Sequence, residues 1–215
     1  MKKISLSLLA GLLLTLPSAY ATLLQPGNVV LGPGDVFTFN PSNYTLKDYI
    51  PPTSASVGAL SIQYAEAVVA DTQNVFCSGC LDFAILVQNN SATDTIESIS
   101  TGDFTGYRTD VGILGGVHLP ISTVDPFSIS RSSDGSTIHF SFLGSDIPPG
   151  SFSDVLVIET DATSFVPGSI TVQDDVTVDV AGFAPAPEPM SLSLLGGGLT
   201  LFGLIGIRRR MKAKK

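Results

Sequence analysis

From residue 81 to residue 180 the apolar side chains of this sequence recur with a period of two rather than 3.6, in short runs cut by Gly, Pro, Asn and Asp. That spacing commits the middle of the chain to strands. Asp35-Val-Phe-Thr-Phe39 alternates, and residues 81–88 form an apolar run that ends at Asn89-Asn90-Ser91, good turn chemistry. Residues 95–100 resume the pattern. Residues 127–131 and 137–143 flank Ser132-Ser-Asp134-Gly135-Ser136, whose Asp-Gly pair is among the strongest short hairpin signals. Residues 154–160 are rich in Val, Leu and Ile. Residues 169–180 read as one strand with Ile170, Val172, Val176, Val178 and Val180 on a single face.

Two stretches are less regular. Residues 57–70 suit a helix through their Ala and Glu66, and suit a strand through Ser61-Ile-Gln-Tyr64 and Val68-Val69. Residues 22–52, rich in Pro, Gly and Asn, are expected to wrap the domain edge. The expected class is all-β: a single antiparallel β-sandwich of immunoglobulin-like or Greek-key appearance.

Both ends lie outside that domain. Lys2-Lys3, an apolar stretch over residues 4–16, and Ser18-Ala19-Tyr20-Ala21 predict a signal peptide over residues 1–21, cut between Ala21 and Thr22. At the other end an uncharged apolar run covers residues 190–207 and is followed by Arg208, Arg209, Arg210 and three lysines. Eighteen residues at helical rise cover about 27 Å, enough for a minimal transmembrane helix. The basic tail, residues 208–215, holds the cytoplasmic side. The exported domain is then residues 22–184, a length that suits one core.

Pro187-Glu188-Pro189, the helix carrying Gly196-Gly197-Gly198, and the terminal Arg cluster resemble the PEP-CTERM sorting signal of Gram-negative, exopolysaccharide-producing bacteria. The resemblance implies a sorting region over residues 185–215, recognised by an exosortase that cuts near the motif. General secretion machinery, transient residence in the inner membrane with the domain in the periplasm, and delivery to the cell surface or medium follow from it. An exopolysaccharide or biofilm matrix is the implied setting. More loosely, Cys80-Leu-Asp-Phe83, Asp103-Phe-Thr-Gly-Tyr107, Thr109-Asp-Val-Gly112 and Leu156-Val-Ile-Glu-Thr160 resemble uncharacterised ectodomains of other PEP-CTERM proteins. That likeness implies architecture and destination, and no activity.

Charge narrows the partners. Between the signals only Lys47, Arg108 and Arg131 are basic, against eighteen acidic residues. Such a surface repels phosphate backbones, so nucleic acid is excluded as a partner. Divalent cations or a polysaccharide are the alternative ligands of a binding module. No Asp-x-Asp-x-Asp-Gly loop occurs, however, and the densest acidic cluster, Asp174-Asp175 with Asp179, sits inside a strand pattern, so no metal ligand or cofactor is assigned.

Cys77 and Cys80 are the only cysteines. An oxidising compartment favours a local disulfide over a redox centre, because a strand rather than a helix follows the pair. His139 alternates with Ile138 and Phe140, which puts it on the solvent face, and His118 has no sequence partner. Asp154 with Glu159 or Asp161 could serve glycoside hydrolysis, but any acidic chain supplies such pairs and Trp, the usual sugar platform, is missing. Residues 112–116 hold glycines without phosphate-loop spacing and read as a strand bend or bulge. No catalytic residue is assigned, and the chain is expected not to be an enzyme.

Overall fold

A computed structural model describes residues 23–115 and 122–186. The signal-cleavage residues Ala21 and Thr22, His118, Pro187-Glu188-Pro189, the apolar run and Arg208, Arg209 and Arg210 lie outside the described residues. Every regular element among those described is a strand, and none is a helix long and apolar enough to cross a membrane. In chain order the strands are β1 Val29–Leu31, β2 Asp35–Thr38, β3 Tyr44–Val57, β4 Leu60–Asp71, β5 Cys80–Asn89, β6 Ser98–Thr101 and β7 Thr109–Gly115. Then come β8 Thr123–Val124, β9 Ser128–Arg131, β10 Ile138–Ser141, β11 Phe152–Ser153, β12 Leu156–Thr160, β13 Phe165–Gln173 and β14 Thr177–Pro185.

They form two sheets. One runs β1-β9-β10-β6-β13-β14, antiparallel throughout. The main body of the other runs β2-β7-β12-β5-β4-β3, with β11 and β8 added where β5 ends. The second sheet is mixed, which corrects the purely antiparallel expectation: β2 lies parallel to β7 and β8 parallel to β11. Glycine permits the first of these. A Cβ on Gly112 would stand 1.9 Å from the Asp35 carbonyl oxygen, and one on Gly34 would stand 2.3 Å from the Val111 oxygen. Gly112 is thus a site of close backbone approach, not a bulge.

Between the sheets the even-numbered face of β4 and the odd-numbered face of β5 meet the other sheet's apolar side chains. Ile62, Val68, Phe83, Ile85 and Val87 pack in one cluster with Ile99, Ile129, Phe140, Ile170 and Val172, all at zero exposure. Phe83 and Phe104 add an edge-to-face contact, ring centroids 5.6 Å apart. Each such side chain contributes about 1.5–3 kcal/mol by leaving water.

The Asp-Gly hairpin forms as expected, with Ile138 opposite Arg131 and Phe140 opposite Ile129. Residues 57–70, ambiguous in sequence, are mostly β4, because alternate residues from Leu60 to Val68 face the core. Residues 22–52 do more than wrap an edge, since they supply β1, β2 and most of β3. Pro51-Pro52 hid β3, yet both fall at a register shift between Ile50 and Thr53 on an edge strand, where missing donors cost no ladder bond. The single strand expected over residues 169–180 is a hairpin instead. Asp174 and Asp175 turn the chain, so that Ile170 faces Val180 and Val172 faces Val178. Val176 lies outside both strands and is exposed.

A candidate metal centre built from three neighbouring strands

β5, β12 and β7 each carry one carboxylate within an apolar stretch, and their register sets these side by side. Asp82 lies opposite Glu159, and Glu159 lies opposite Asp110. The row stands on the sheet face turned away from Phe83, Ile158 and Val111, but it is not open to water: Asp82, Asp110 and Glu159 are 2%, 1% and 5% exposed. Asp71, at the end of β4, is equally buried and joins them. One oxygen each of Asp71, Asp82 and Glu159 lie within 4.8 Å of one another.

The β4–β5 connection covers this row. Three consecutive loop residues each donate to a different carboxylate: Gln73 N to Asp71 at 2.8 Å, Asn74 Nδ2 to Asp82 at 2.7 Å and Val75 N to Glu159 at 3.1 Å. Asn74 also donates to the Thr160 carbonyl and accepts from Phe76 N and Cys77 N, so its amide is held at both ends. Cys77 and Cys80 are bridged, Cα atoms 5.3 Å apart, closing the loop where β5 begins. Outside, the Arg108 guanidinium lies 4.8 Å from the Phe76 ring centroid while pairing with Asp161.

These donors do not balance the charge. Burial, followed by the Glu159 charge, pushes Asp82 up to about 8, against the smaller lowering from Asn74's donation. Asp110 rises to about 7 through burial, then Asp35 and Glu159. Glu159 is raised by burial first, with Asp71 and Asp35 adding to it. Tyr44, at the mouth, goes up to about 12 by burial and by the charges of Asp71, Asp82 and Glu159. Every charge acting on this row is another carboxylate. Like charges placed directly opposite on neighbouring strands repel, and burial strengthens the repulsion.

A cleft of about 670 Å³ opens onto the row, lined by Asp35, Asn40, Asn43, Tyr44, Asp71 and Gln73 among others. Hard oxygen donors, net negative and 4.8 Å apart at most, suit a cation such as Ca²⁺ that takes oxygens at about 2.3–2.6 Å.

The residues weighed from sequence go elsewhere. Asp154 hydrogen-bonds with Asp125, and Asp161 pairs with Arg108, so neither joins Glu159. Asp179 accepts from Thr171 on the neighbouring strand at 2.6 Å, and Asp174-Asp175 form a turn rather than a strand-borne cluster. His139 lies on the face of β10 opposite Ile138 and Phe140, as expected, but is half-buried there, and that burial lowers its pKa. Asp82, Asp110 and Glu159 were each visible inside a quoted motif. Their signal was a lone acid between apolar strand residues; what sequence could not supply was the register joining them. Comparison with protein-family models, curated proteins and solved structures finds no match.

Proposed function

We propose that this chain is an exported, surface-sorted structural or interaction protein whose sandwich-like domain serves in an extracellular or exopolysaccharide matrix. An exosortase processes it at Pro187-Glu188-Pro189. One observation carries the reading: the order of motif, uncharged apolar run and Arg208-Arg209-Arg210 at the C-terminus, opposite an N-terminal signal sequence. The two-sheet β architecture is compatible with an immunoglobulin-like or Greek-key relative. Intact-mass measurement of surface-released protein from the native host tests it. The expected species begins at Thr22 and lacks residues 208–215; released protein that retains the Arg cluster would reduce the tail to a simple anchor.

A second reading concerns what the domain binds. The aligned carboxylates of Asp82, Glu159 and Asp110, with Asp71 beside them and no cation facing them among the described residues, favour a divalent-cation-binding module. A bound cation would relieve the repulsion in the row and stiffen the loop over residues 72–79. Calcium titration of the full chain tests it, with Asp82→Asn as the variant expected to lose binding.

A further inference from the structure

A second buried carboxylate stands apart from that row and ties the two sheets together near the end of the domain. Glu66, on β4, is 2% exposed and points between the sheets. Its Oε2 accepts from Phe183 N at 2.9 Å, on the edge strand β14 of the other sheet. Its Oε1 is buried and has no hydrogen-bond partner. A buried carboxyl oxygen without a donor is tolerable in the protonated acid and costly in the carboxylate. The packing leaves little room for rearrangement, because a Cβ on Gly182 would come within 3.0 Å of Oε2.

The chain just beyond Phe183 is held as well. Ala184 is fully buried, Pro185 pairs with Phe165, Ala186 N donates to the Ser164 carbonyl, and the Tyr107 hydroxyl donates to the Ala186 carbonyl. The paired strand therefore runs through Pro185, which sequence reading placed with the tail, and only Ala186 separates it from Pro187.

We propose that Glu66 is a proton-operated latch on the C-terminal strand: the acid form keeps residues 183–186 docked against the opposite sheet, and ionisation releases them. Exposure of the chain that leads into Pro187-Glu188-Pro189 then follows deprotonation of Glu66, a consequence that rests on the sorting function proposed above, whereas the latch itself does not. Burial raises the Glu66 pKa from 4.5 to about 8, only partly opposed by the Phe183 N–H. Tyr64, two residues along β4, is the titratable neighbour that feels this charge; among the described residues no charged side chain of β3, β5, β13 or β14 acts on Glu66. Since the docked form holds the proton more tightly than the released form, docking is strongest below the released pKa. It weakens as pH rises to the docked value and levels off above it.

Hydrogen exchange of the full chain in detergent, followed by mass spectrometry and corrected for the intrinsic pH dependence of exchange, measures this. Relative to that of β6, the protection of Phe183, Ala184 and Ala186 should fall about tenfold per pH unit between about pH 5 and 8 and then flatten. Glu66→Gln should remove the pH dependence. A wild-type profile that is flat at residues 183–186, or one that β6 shares, overturns the latch, as does a Glu66→Gln profile identical to wild type. Should Glu66→Gln not fold, the wild-type contrast between residues 183–186 and β6 decides alone. Sorting does not enter this measurement, so a failed latch and an unprocessed tail are separate results.

Discussion

Arg131 and the row of Asp82, Glu159 and Asp110 are both buried charge, yet their surroundings differ in kind. The Arg131 guanidinium, 4% exposed, donates to the carbonyls of Leu24, Phe104, Tyr107 and Gly135 and to Thr109 Oγ1 at 2.7–3.1 Å. Those five bonds match the five N–H donors that arginine has. In the acidic row Asp82 receives one loop donor, Glu159 another, and Asp110 the N–H of Val111 and a hydrogen bond with the Asp35 carboxyl, while the charges that surround them share their sign. One site is satisfied by the chain itself. The other is not, and its carboxylates are raised in pKa by burial and by one another. Fixed dipoles can complete a buried cation because main-chain carbonyls abound, but clustered anions repel one another however many N–H groups surround them.

The contrast breaks most severely at Arg131. Arg131→Met should cost about 3–5 kcal/mol, because it strands acceptors from β7, from the segment at Leu24 and from the residues around Tyr107. Urea unfolding of the variant reads this directly. Arg131→Lys, with the charge retained and only three donors, should recover little of the loss. A cost below about 1 kcal/mol would mean that water takes the place of the guanidinium and satisfies these acceptors.

The acidic row gives the next largest effect, with the opposite dependence on conditions. Asp82 and Asp110 have folded pKa values, about 8 and about 7, above the ordinary 3.8, and Glu159 is also raised. The folded state therefore holds more protons than the unfolded chain. Their stabilising share is complete near pH 4, is lost as pH rises through the folded values, and is gone by about pH 8. Glu66 adds in the same direction, and His139, whose pKa is lowered, opposes it only in the acid range. Without divalent cations the domain should be about 2–4 kcal/mol more stable at pH 5 than at pH 8. Millimolar Ca²⁺ should narrow that gap at pH 8, and Asp82→Asn with Glu159→Gln should narrow it without calcium, leaving the shares of Asp110 and Glu66. Thermal unfolding at the two pH values, with EDTA and with calcium, separates these outcomes. Equal stability at both would show that the row is already balanced.

Which parts of this were legible in the sequence follows from what each required. The Asp134-Gly135 hairpin was legible because a turn and its two strands are local. The all-β class was legible from period-two alternation. The row was not, because Asp82, Asp110 and Glu159 come from strands far apart in the chain, and register is a property of the sheet. Arg131 entered the sequence reading only as one of three basic residues, since nothing near it in sequence shows that its partners lie around Leu24 and Tyr107. β3 was missed because Pro51-Pro52 argues against a strand unless the strand is known to be an edge. Asp174-Asp175 misled for a related reason: alternation on both sides of a tight turn reads as one strand.

The smallest effect bears on how far the covering loop, rather than the carboxylates, makes the site. The Cys77 and Cys80 bridge closes only a short loop, so it removes little freedom from the unfolded chain, and replacing both by Ser should cost about 1–3 kcal/mol without loss of the fold. Its specific consequence lies in the donors. Asn74 accepts from Cys77 N and donates to Asp82, so freeing Cys77 loosens the amide that neutralises the most perturbed member of the row. The double variant should consequently lose more stability at pH 8, where Asp82 is ionising and that donor favours its carboxylate, than at pH 5. Urea titrations at the two pH values measure the difference. A loss equal at both would assign the bridge to chain entropy alone, and would leave the carboxylates, not the loop, as the origin of the contrast with Arg131.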